Sequence, residues 1–126
     1  DLGKKELRLT TVVDPEGYVY ALIGNTEVRL PDATVSLWWF NPVTKKYQLW
    51  PAAQFKQQNP QITNQRGTYS FLVPAGKYYL TITASGYGKV IGPMMEVMVT
   101  EGVHTNFRLK PTIWQRFWLM WQSLVS

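Results

Sequence analysis

Short runs of alternating apolar and polar residues dominate the chain from residue 7 to residue 109, and Gly, Pro, Asn and Asp separate them. An alternation with a period of two is typical of a β-strand that buries one face. The pattern predicts seven or eight short strands, the number expected of a β-sandwich. The predicted strands span 7–13, 17–23, 33–40, 46–50, 62–73, 76–84, 94–100 and 104–110.

Turn-forming residues mark the connections between these strands. Pro74-Ala75-Gly76 joins two of the longest runs, and Gly24-Asn25 and Asn41-Pro42 close two others. Glu101-Gly102 predicts a tight hairpin turn between the last two strands. The longest irregular stretch, residues 51–61, is expected to be a polar loop with two prolines.

The alternation also assigns side chains to the two faces of each strand. One face carries an unusual number of aromatic residues at positions that should point outward: Tyr18, Tyr20, Trp38, Phe40 and Tyr79. The inward positions are expected to form the core: Val19, Ala21, Ala33, Val35, Leu37, Trp39, Tyr69, Phe71, Val73, Tyr78, Leu80, Ile82, Val97, Val99, Phe107 and Leu109.

The last sixteen residues, PTIWQRFWLMWQSLVS, change to a helical period. Thr112 is a suitable N-cap, and apolar residues then recur three and four positions apart. At about 1.5 Å per residue the helix would be about 21 Å long, short of the ~30 Å apolar core of a bilayer. The residues of this predicted helix that should contact a partner are Trp114, Phe117, Trp118, Trp121 and Leu124, and Val125 continues their spacing. Leu119 and Met120 widen its apolar arc.

Such an exposed apolar arc is expected to be buried against another surface, and three surfaces are possible. The helix can dock on the outward aromatic residues of its own sandwich, with Tyr18, Tyr20, Trp38 and Tyr79 as the first candidates. It can pack on a neighbouring domain or protein subunit. It can also lie in a membrane interface, where tryptophan is favoured.

Composition narrows the class of protein. The 126 residues suit one domain with an appendage. Charged residues make up only 17% of the chain and aromatic residues 14%, a balance that favours an extracellular β protein. The net charge is +5, but the basic residues are scattered, so we expect no nucleic-acid binding. The chain has no cysteine, which excludes disulfides and thiolate zinc sites.

An ordered set of short motifs resembles the carboxypeptidase regulatory-like domain, a transthyretin-like member of the immunoglobulin-like β-sandwiches. GYVYA, LPDATVSL, TNQRGTYSF, PAGKYYL, the Gly86-Tyr87 pair and NFRL follow one another in the family's order over residues 12–110. The resemblance implies an architectural role for the glycines. Gly86 is expected to leave its strand in a conformation that other residues avoid, so that Tyr87 folds back on the end of the sandwich.

The chain departs from that pattern at Asn64, where the family often has Asp, in a longer hairpin over 41–61, and in the tail. The related B-type repeats of collagen adhesins form a Lys–Asn isopeptide bond assisted by a Glu. Asn106 lies in the corresponding last strand, but Thr81 or Thr83 replaces the Glu and Arg8 replaces the Lys. We therefore do not expect this cross-link.

We find no pattern of residues that predicts catalysis. The acidic residues fall in predicted turns or strand ends, and His104, the only histidine, takes an outward position in the last strand. Ser36, Ser70 and Ser85 lack the surroundings of an activated nucleophile. The sequence thus predicts a non-enzymatic protein without a metal or cofactor.

The strongest binding candidates are the aromatic residues of the 38–50 hairpin. Trp38, Phe40, Tyr47 and Trp50 lie close to glutamine and asparagine, a mixture that suits stacking on sugar rings. The alternative is that half of these rings belong to the core and the rest pack beneath the 51–61 loop or the tail.

These observations predict a sandwich over residues 1–110 and an amphipathic helical tail over 111–126. The chain starts at Asp1 without a leader sequence, and we expect it to be a fragment of a longer protein. The resemblance implies a stalk, spacer or docking module of a secreted or surface protein. The alternative is a module that binds carbohydrate or protein through the aromatic hairpin.

Overall fold

A computed structural model describes residues 16–125, so the predicted strand 7–13 lies outside the described residues. Within 16–125 the chain forms eleven β-strands, one 3-10 turn at Ala52–Phe55 and one α-helix. The strands are β1 Glu16–Ile23, β2 Thr26–Arg29, β3 Thr34–Asn41, β4 Lys46–Leu49, β5 Gln61–Ile62, β6 Thr68–Val73, β7 Gly76–Thr83, β8 Val90–Ile91, β9 Met95–Val97, β10 Glu101–Val103 and β11 Phe107–Arg108. The helix, α1, spans Ile113–Val125.

The described strands pair into two sheets that face each other as a β-sandwich. The first sheet has the order β10-β6-β1-β11, and β2 pairs with β1. The second sheet has the order β4-β3-β7-β8, with β5 on β3 and β9 on β7. Pairing is antiparallel except between β1 and β11, where Val19 stands opposite Phe107.

The core lies between the two sheets, and the predicted inward positions supply most of it. Val19, Val35, Phe71, Tyr78 and Ile82 are completely buried. Trp39 is half-buried and packs against this cluster. Because successive residues of a strand point to opposite faces, the same register turns the neighbouring aromatic residues outward.

Val99 is the exception, and the prediction that it points inward is wrong. Its side chain is 67% exposed. It lies in a bend over residues 98–100, where the chain leaves β9 in the second sheet and enters β10 in the first sheet. A residue in such a crossover does not follow the alternation of either strand.

The predicted hairpin turn at Glu101-Gly102 is also wrong. Both residues belong to β10, which pairs with β6 and places Glu101 opposite Val73. Glu-Gly lacks the Asn-Gly or Asp-Gly character of the commonest hairpin turns, so the turn signal was weak. The sequence pattern also missed β2, whose four residues are all exposed and show no alternation in burial.

Two glutamine side chains bond the backbone of β6 on the edge formed by the backbone groups of Ser70 and Leu72. The Gln57 amide accepts from the Leu72 backbone N–H (2.9 Å) and donates to the Leu72 carbonyl oxygen (2.8 Å). The Gln61 amide makes the same pair of bonds with Ser70, at 3.0 and 2.6 Å. These amides bond backbone groups that a neighbouring strand would otherwise take, which protects the edge from pairing with another chain.

Candidate functional site

The helix begins where the sequence predicts. The Gln115 backbone N–H donates to the Thr112 hydroxyl oxygen (3.1 Å), and the Arg116 N–H donates to the Thr112 carbonyl oxygen (2.9 Å). The first bond satisfies a backbone donor that has no partner within the helix, as an N-cap residue does. Thr112 is therefore confirmed as the N-cap of α1.

The start of α1 is joined to the turn that follows β7. The Thr112 backbone N–H donates to the Gly86 carbonyl oxygen (2.9 Å), and its hydroxyl donates to the same oxygen (3.3 Å). Next to this contact, the Gly88 N–H donates to the Lys110 carbonyl oxygen (2.9 Å), and Tyr87 forms a β-bridge with Pro111. These bonds give the helix a defined attachment to one end of the sandwich.

Gly86 makes this attachment possible. Its φ of 86° is in the left-handed region, as expected for a residue that turns the chain out of a strand. A Cβ atom built on Gly86 would lie 2.6 Å from the Gln115 side-chain oxygen, so Gln115 packs directly over the glycine. The sequence predicted the backbone conformation of Gly86, but it did not predict that Gly86 would contact the first turn of the helix.

The apolar arc of α1 faces away from the sandwich. No residue of the helix is buried, and only Gln115 and Leu119, one turn apart on the same stripe, are half-buried. We define the apolar arc as eight residues that are between 52% and 80% exposed: Ile113, Trp114, Phe117, Trp118, Met120, Trp121, Leu124 and Val125.

Intramolecular docking of the helix on Tyr18, Tyr20, Trp38 and Tyr79, one of the possibilities that the sequence left open, is not seen in this structure. The four candidate residues do not form a single surface, because Tyr18 and Tyr20 lie on the outer face of the first sheet and Trp38 and Tyr79 on that of the second. The Arg29 guanidinium lies 3.5 Å from the Tyr18 ring centre, and Trp38 stacks on Tyr79.

Basic residues lie in the two segments that are bonded at the base of α1. Lys89, Arg108, Lys110 and Arg116 lie in the two segments that meet there, and neither residues 84–95 nor residues 102–126 contain an acidic residue. With thirteen residues, the helix of the described chain does not meet the length and apolarity required to cross a bilayer.

A second aromatic surface lies on the outer face of the second sheet. Trp38 and Tyr79 stand opposite each other on β3 and β7, with ring centres 6.1 Å apart and planes 14° apart. Tyr47 packs edge-on against Tyr79 (4.9 Å) and against Phe40 (5.3 Å). The structure thus brings four of the predicted contact residues together as one cluster.

A groove of about 380 Å³ runs beside this cluster. Trp38, Tyr47 and Tyr79 form part of its wall, and Thr81 and Lys89 add polar groups. The Trp38 indole N–H donates to the Thr81 hydroxyl (2.9 Å), which fixes the ring in place. A flat ring of fixed orientation next to a hydroxyl and an ammonium group can stack on an apolar face and bond to a polar rim.

Trp50 does not belong to this surface, although it was predicted to contact a ligand. It is only 3% exposed, stacks on Phe55 (5.0 Å) and meets Phe71 edge-on in the core. Strand β4 ends at Leu49, and the Asn59 side chain bonds to the carbonyl oxygens of Leu37 and Trp50. This loop folds back over the sandwich and carries Trp50 into the core.

The side chains that could hold a metal ion or form the isopeptide bond are not arranged to do so in the described residues. Among residues 16–125, no three His, Asp or Glu side chains lie close enough together to hold a metal ion. The Asn106 side chain accepts from the Tyr18 backbone N–H (3.0 Å), while Thr81 and Thr83 belong to the other sheet and Arg8 lies outside the described residues.

Two buried tyrosines have perturbed acidity. Burial raises the pKa of Tyr78 to about 12, and its hydroxyl donates to the Pro74 carbonyl oxygen (2.9 Å). Burial also raises the pKa of Tyr69, whose hydroxyl donates to the Thr105 carbonyl oxygen. Both hydroxyls tie loops at strand ends to the core.

No protein-family model matches the chain, and a search of curated proteins finds no significant match.

Proposed function

We propose that this protein is a non-enzymatic accessory module whose sandwich presents helix α1 to a neighbouring domain, a protein subunit or a membrane. The supporting observation is the apolar arc, in which all eight side chains are more than half exposed. In an amphipathic helix that serves its own core, this arc would point inward. Here the helix places it outward, which makes the arc the binding surface.

The energetics of the arc require a partner. Burying one large apolar side chain is worth about 1.5–3 kcal/mol, so eight exposed side chains represent a large unused driving force. A contiguous apolar patch of this kind marks an interaction site on a soluble protein. The sandwich serves as a stiff mount that holds the patch in one orientation through Thr112 and Gly86.

We further propose that the sandwich is of the transthyretin-like type found in carboxypeptidase regulatory-like domains. Positive φ angles at Gly67 (72°) and Gly86 (86°), two motif glycines, support this assignment. The Thr63 hydroxyl, also in the motif set, is buried and bonds to the Leu30 carbonyl oxygen (2.7 Å). On this reading the module acts as a stalk, spacer or docking domain of a larger secreted or surface protein.

Replacing Trp114, Trp118 and Trp121 together by Gln tests the docking function. We expect the parent chain to self-associate or to adsorb to membranes, and the triple variant to remain a monomer in sedimentation velocity and to lose adsorption. The free energy of unfolding should stay within about 0.5 kcal/mol, because surface substitutions rarely change it by more. A loss of about 3 kcal/mol or more would mean that the helix packs on its own sandwich, contrary to the proposal.

A second candidate function is carbohydrate or protein binding on the second sheet. The observation in its favour is the groove beside Trp38, Tyr47 and Tyr79, with Thr81 and Lys89 at its rim. Its test is a glycan array followed by isothermal titration with Trp38→Ala and, as the control, Tyr20→Ala on the opposite outer face. Binding that Trp38→Ala removes and Tyr20→Ala retains would favour this function. No binding by the parent chain would dismiss its glycan form.

A further inference from the structure

We infer that the partner of the apolar arc is an anionic lipid surface, on which α1 lies flat with the sandwich above it. This inference deepens the proposed function and rests on it, because it names the partner of the same helix. Its grounds are the direction of the arc, the residue types that compose it and the charge around its base.

The geometry of α1 suits a helix lying in an interface. At 3.6 residues per turn, the eight apolar residues cover an arc of about 160°, while Gln122, Gln115, Ser123 and Arg116 occupy the opposite side. The half-buried stripe of Gln115 and Leu119 is in this second half. The face of the helix nearest the sandwich is therefore largely polar, and the apolar arc is free to enter a bilayer from the far side.

The composition of the arc favours the interface over the interior of a protein. Three of its eight residues are tryptophan, at positions 114, 118 and 121, so that the rings are spread over two helical turns. Tryptophan is enriched at the level of lipid headgroups, where its ring is partly apolar and its N–H remains solvated. Trp114 is 80% exposed, which leaves its ring accessible to lipid.

The charge around the helix selects an anionic surface. Lys89 and Lys110 lie in the segments bonded at the base of α1, and Arg116 lies on the polar side of the helix. No acidic residue interrupts residues 84–95 or 102–126. Long basic side chains beside an apolar arc can reach the headgroups while the arc is buried. Each basic residue near an anionic surface strengthens binding on the order of fivefold.

A second copy of the chain is a poorer occupant. Stable protein interfaces use about 20–30 residues from each partner, far more than the eight of the arc. Parallel pairing of the arcs of two copies would also bring two basic helix bases together, with no acidic residue in the segments 84–95 and 102–126 to offset them. A lipid surface has neither disadvantage, because it buries the arc over its whole length and neutralises the basic residues.

The test is flotation of the whole chain with vesicles of phosphatidylcholine alone and of phosphatidylcholine mixed with phosphatidylglycerol. We expect binding to the mixed vesicles at least tenfold stronger than to phosphatidylcholine, and weakened by added salt. Trp118→Gln with Trp121→Gln should remove binding to both. Lys110→Gln with Arg116→Gln should remove the preference for phosphatidylglycerol.

Matched controls separate these effects from general changes of charge or hydrophobicity. Lys45→Gln with Lys46→Gln removes two positive charges, as the test variant does, but at the opposite end of the sandwich. The two lysines follow the end of β3, which pairs with the start of β7 through Trp39 and Tyr78. Helix α1 is attached beyond the other end of β7. Tyr20→Gln removes an aromatic ring from the outer face of the first sheet. Both controls should bind mixed vesicles as the parent chain does.

The outcomes separate this inference from the proposed function. If the parent chain does not float with mixed vesicles, or floats equally well with both kinds, the anionic lipid inference is wrong. If it does not float but self-associates through the three tryptophans, α1 is a docking helix for protein and the proposed function stands. If it neither floats nor self-associates, both the inference and the docking function fail.

Discussion

Gly86 joins the sandwich to helix α1 through its backbone. Its carbonyl oxygen accepts two hydrogen bonds from Thr112, its backbone turns with a φ of 86°, and Gln115 packs over its Cα. The orientation of the helix thus depends on a residue without a side chain.

Gly86→Ala should lower the free energy of unfolding by about 1–3 kcal/mol, because the residue would be strained and its Cβ would displace Gln115. Gly24→Ala is the matched control, since Gly24 has a φ of 65° and nothing within 4 Å of the added Cβ. Urea unfolding should give a larger loss for Gly86→Ala, and Gln115→Ala should recover part of it. Equal losses in the two alanine variants would show that Gln115 does not pack there.

Tyr69 and Tyr78 predict a fall in stability at alkaline pH. Burial raises the pKa of Tyr78 from 10.0 to about 12 and that of Tyr69 in the same direction. Below pH 10 both hydroxyls keep their protons in the folded and the unfolded chain, so their contribution is fully present. Above it the unfolded chain loses these protons first. The free energy of unfolding should therefore fall by up to about 1.4 kcal/mol per pH unit for each tyrosine until its folded pKa is passed.

Urea unfolding between pH 9 and pH 12 measures this slope. Tyr69→Phe and Tyr78→Phe should each remove about one proton's worth of it, while Tyr20→Phe on the outer face serves as the control. An unchanged slope in both core variants would show that Tyr69 and Tyr78 do not cause the alkaline loss of stability.

Trp50 and Trp38 differ in role although both were predicted to contact a ligand. Trp50→Ala should cost about 3–5 kcal/mol of unfolding free energy, as expected for a buried aromatic residue. Trp38→Ala should cost less, because Trp38 is half-buried on the outer face. Chemical unfolding of both variants measures the difference, and a smaller loss for Trp50→Ala would contradict its place in the core.

At the scale of elements, one side of β6 is bonded by two glutamine side chains rather than by a strand of residues 16–125. Gln57→Ala with Gln61→Ala would remove four hydrogen bonds to Ser70 and Leu72. Since those backbone groups can then bond to water, the loss should be only about 1–3 kcal/mol. The freed edge should raise the rate of self-assembly seen by light scattering. Gln58→Ala, at an exposed neighbouring position, should change neither quantity.

The elements that the sequence predicted are those whose pattern is local. Val19 and Ala21 in β1, or Leu37 in β3, alternate with outward residues in a single run, and the N-cap of α1 lies in the same turn as the helix it begins. The exchange between sheets at residues 98–100 could not be predicted this way. This exchange depends on the pairing of β10 with β6, a strand distant in the sequence. The alternation of residues within one strand carries no information about such a pairing.

At the scale of the whole molecule, the sandwich and the helical tail were predicted, but the relation between them was not. The direction of the apolar arc is set by hydrogen bonds between Thr112 and Gly86, which are 26 residues apart. The membership of the aromatic cluster likewise depends on the pairing of β3 with β7. That pairing places Trp38 beside Tyr79 on the outer face of the second sheet, while Tyr18 and Tyr20 lie on the outer face of the first sheet.

The resulting molecule is a β-sandwich with helix α1 hydrogen-bonded to one of its ends. The apolar arc of the helix faces away from the sandwich. Among residues 16–125, the core between the sheets takes no buried residue from α1. The helix is therefore available for a partner without loss of the fold. The fold and the binding surface are thus separate parts of this molecule.

Thiol labelling measures whether the apolar arc is free of the sandwich, because the 126-residue sequence has no cysteine that would react in the background. Single variants Phe117→Cys and Leu124→Cys place a thiol on the apolar arc, and Leu119→Cys places one on the half-buried stripe. In dilute solution without lipid, the first two should react with a maleimide at close to the rate of the unfolded chain, and Leu119→Cys several-fold more slowly. Protection of Phe117→Cys and Leu124→Cys with rapid labelling of Leu119→Cys would show that the arc faces the sandwich and would contradict the account.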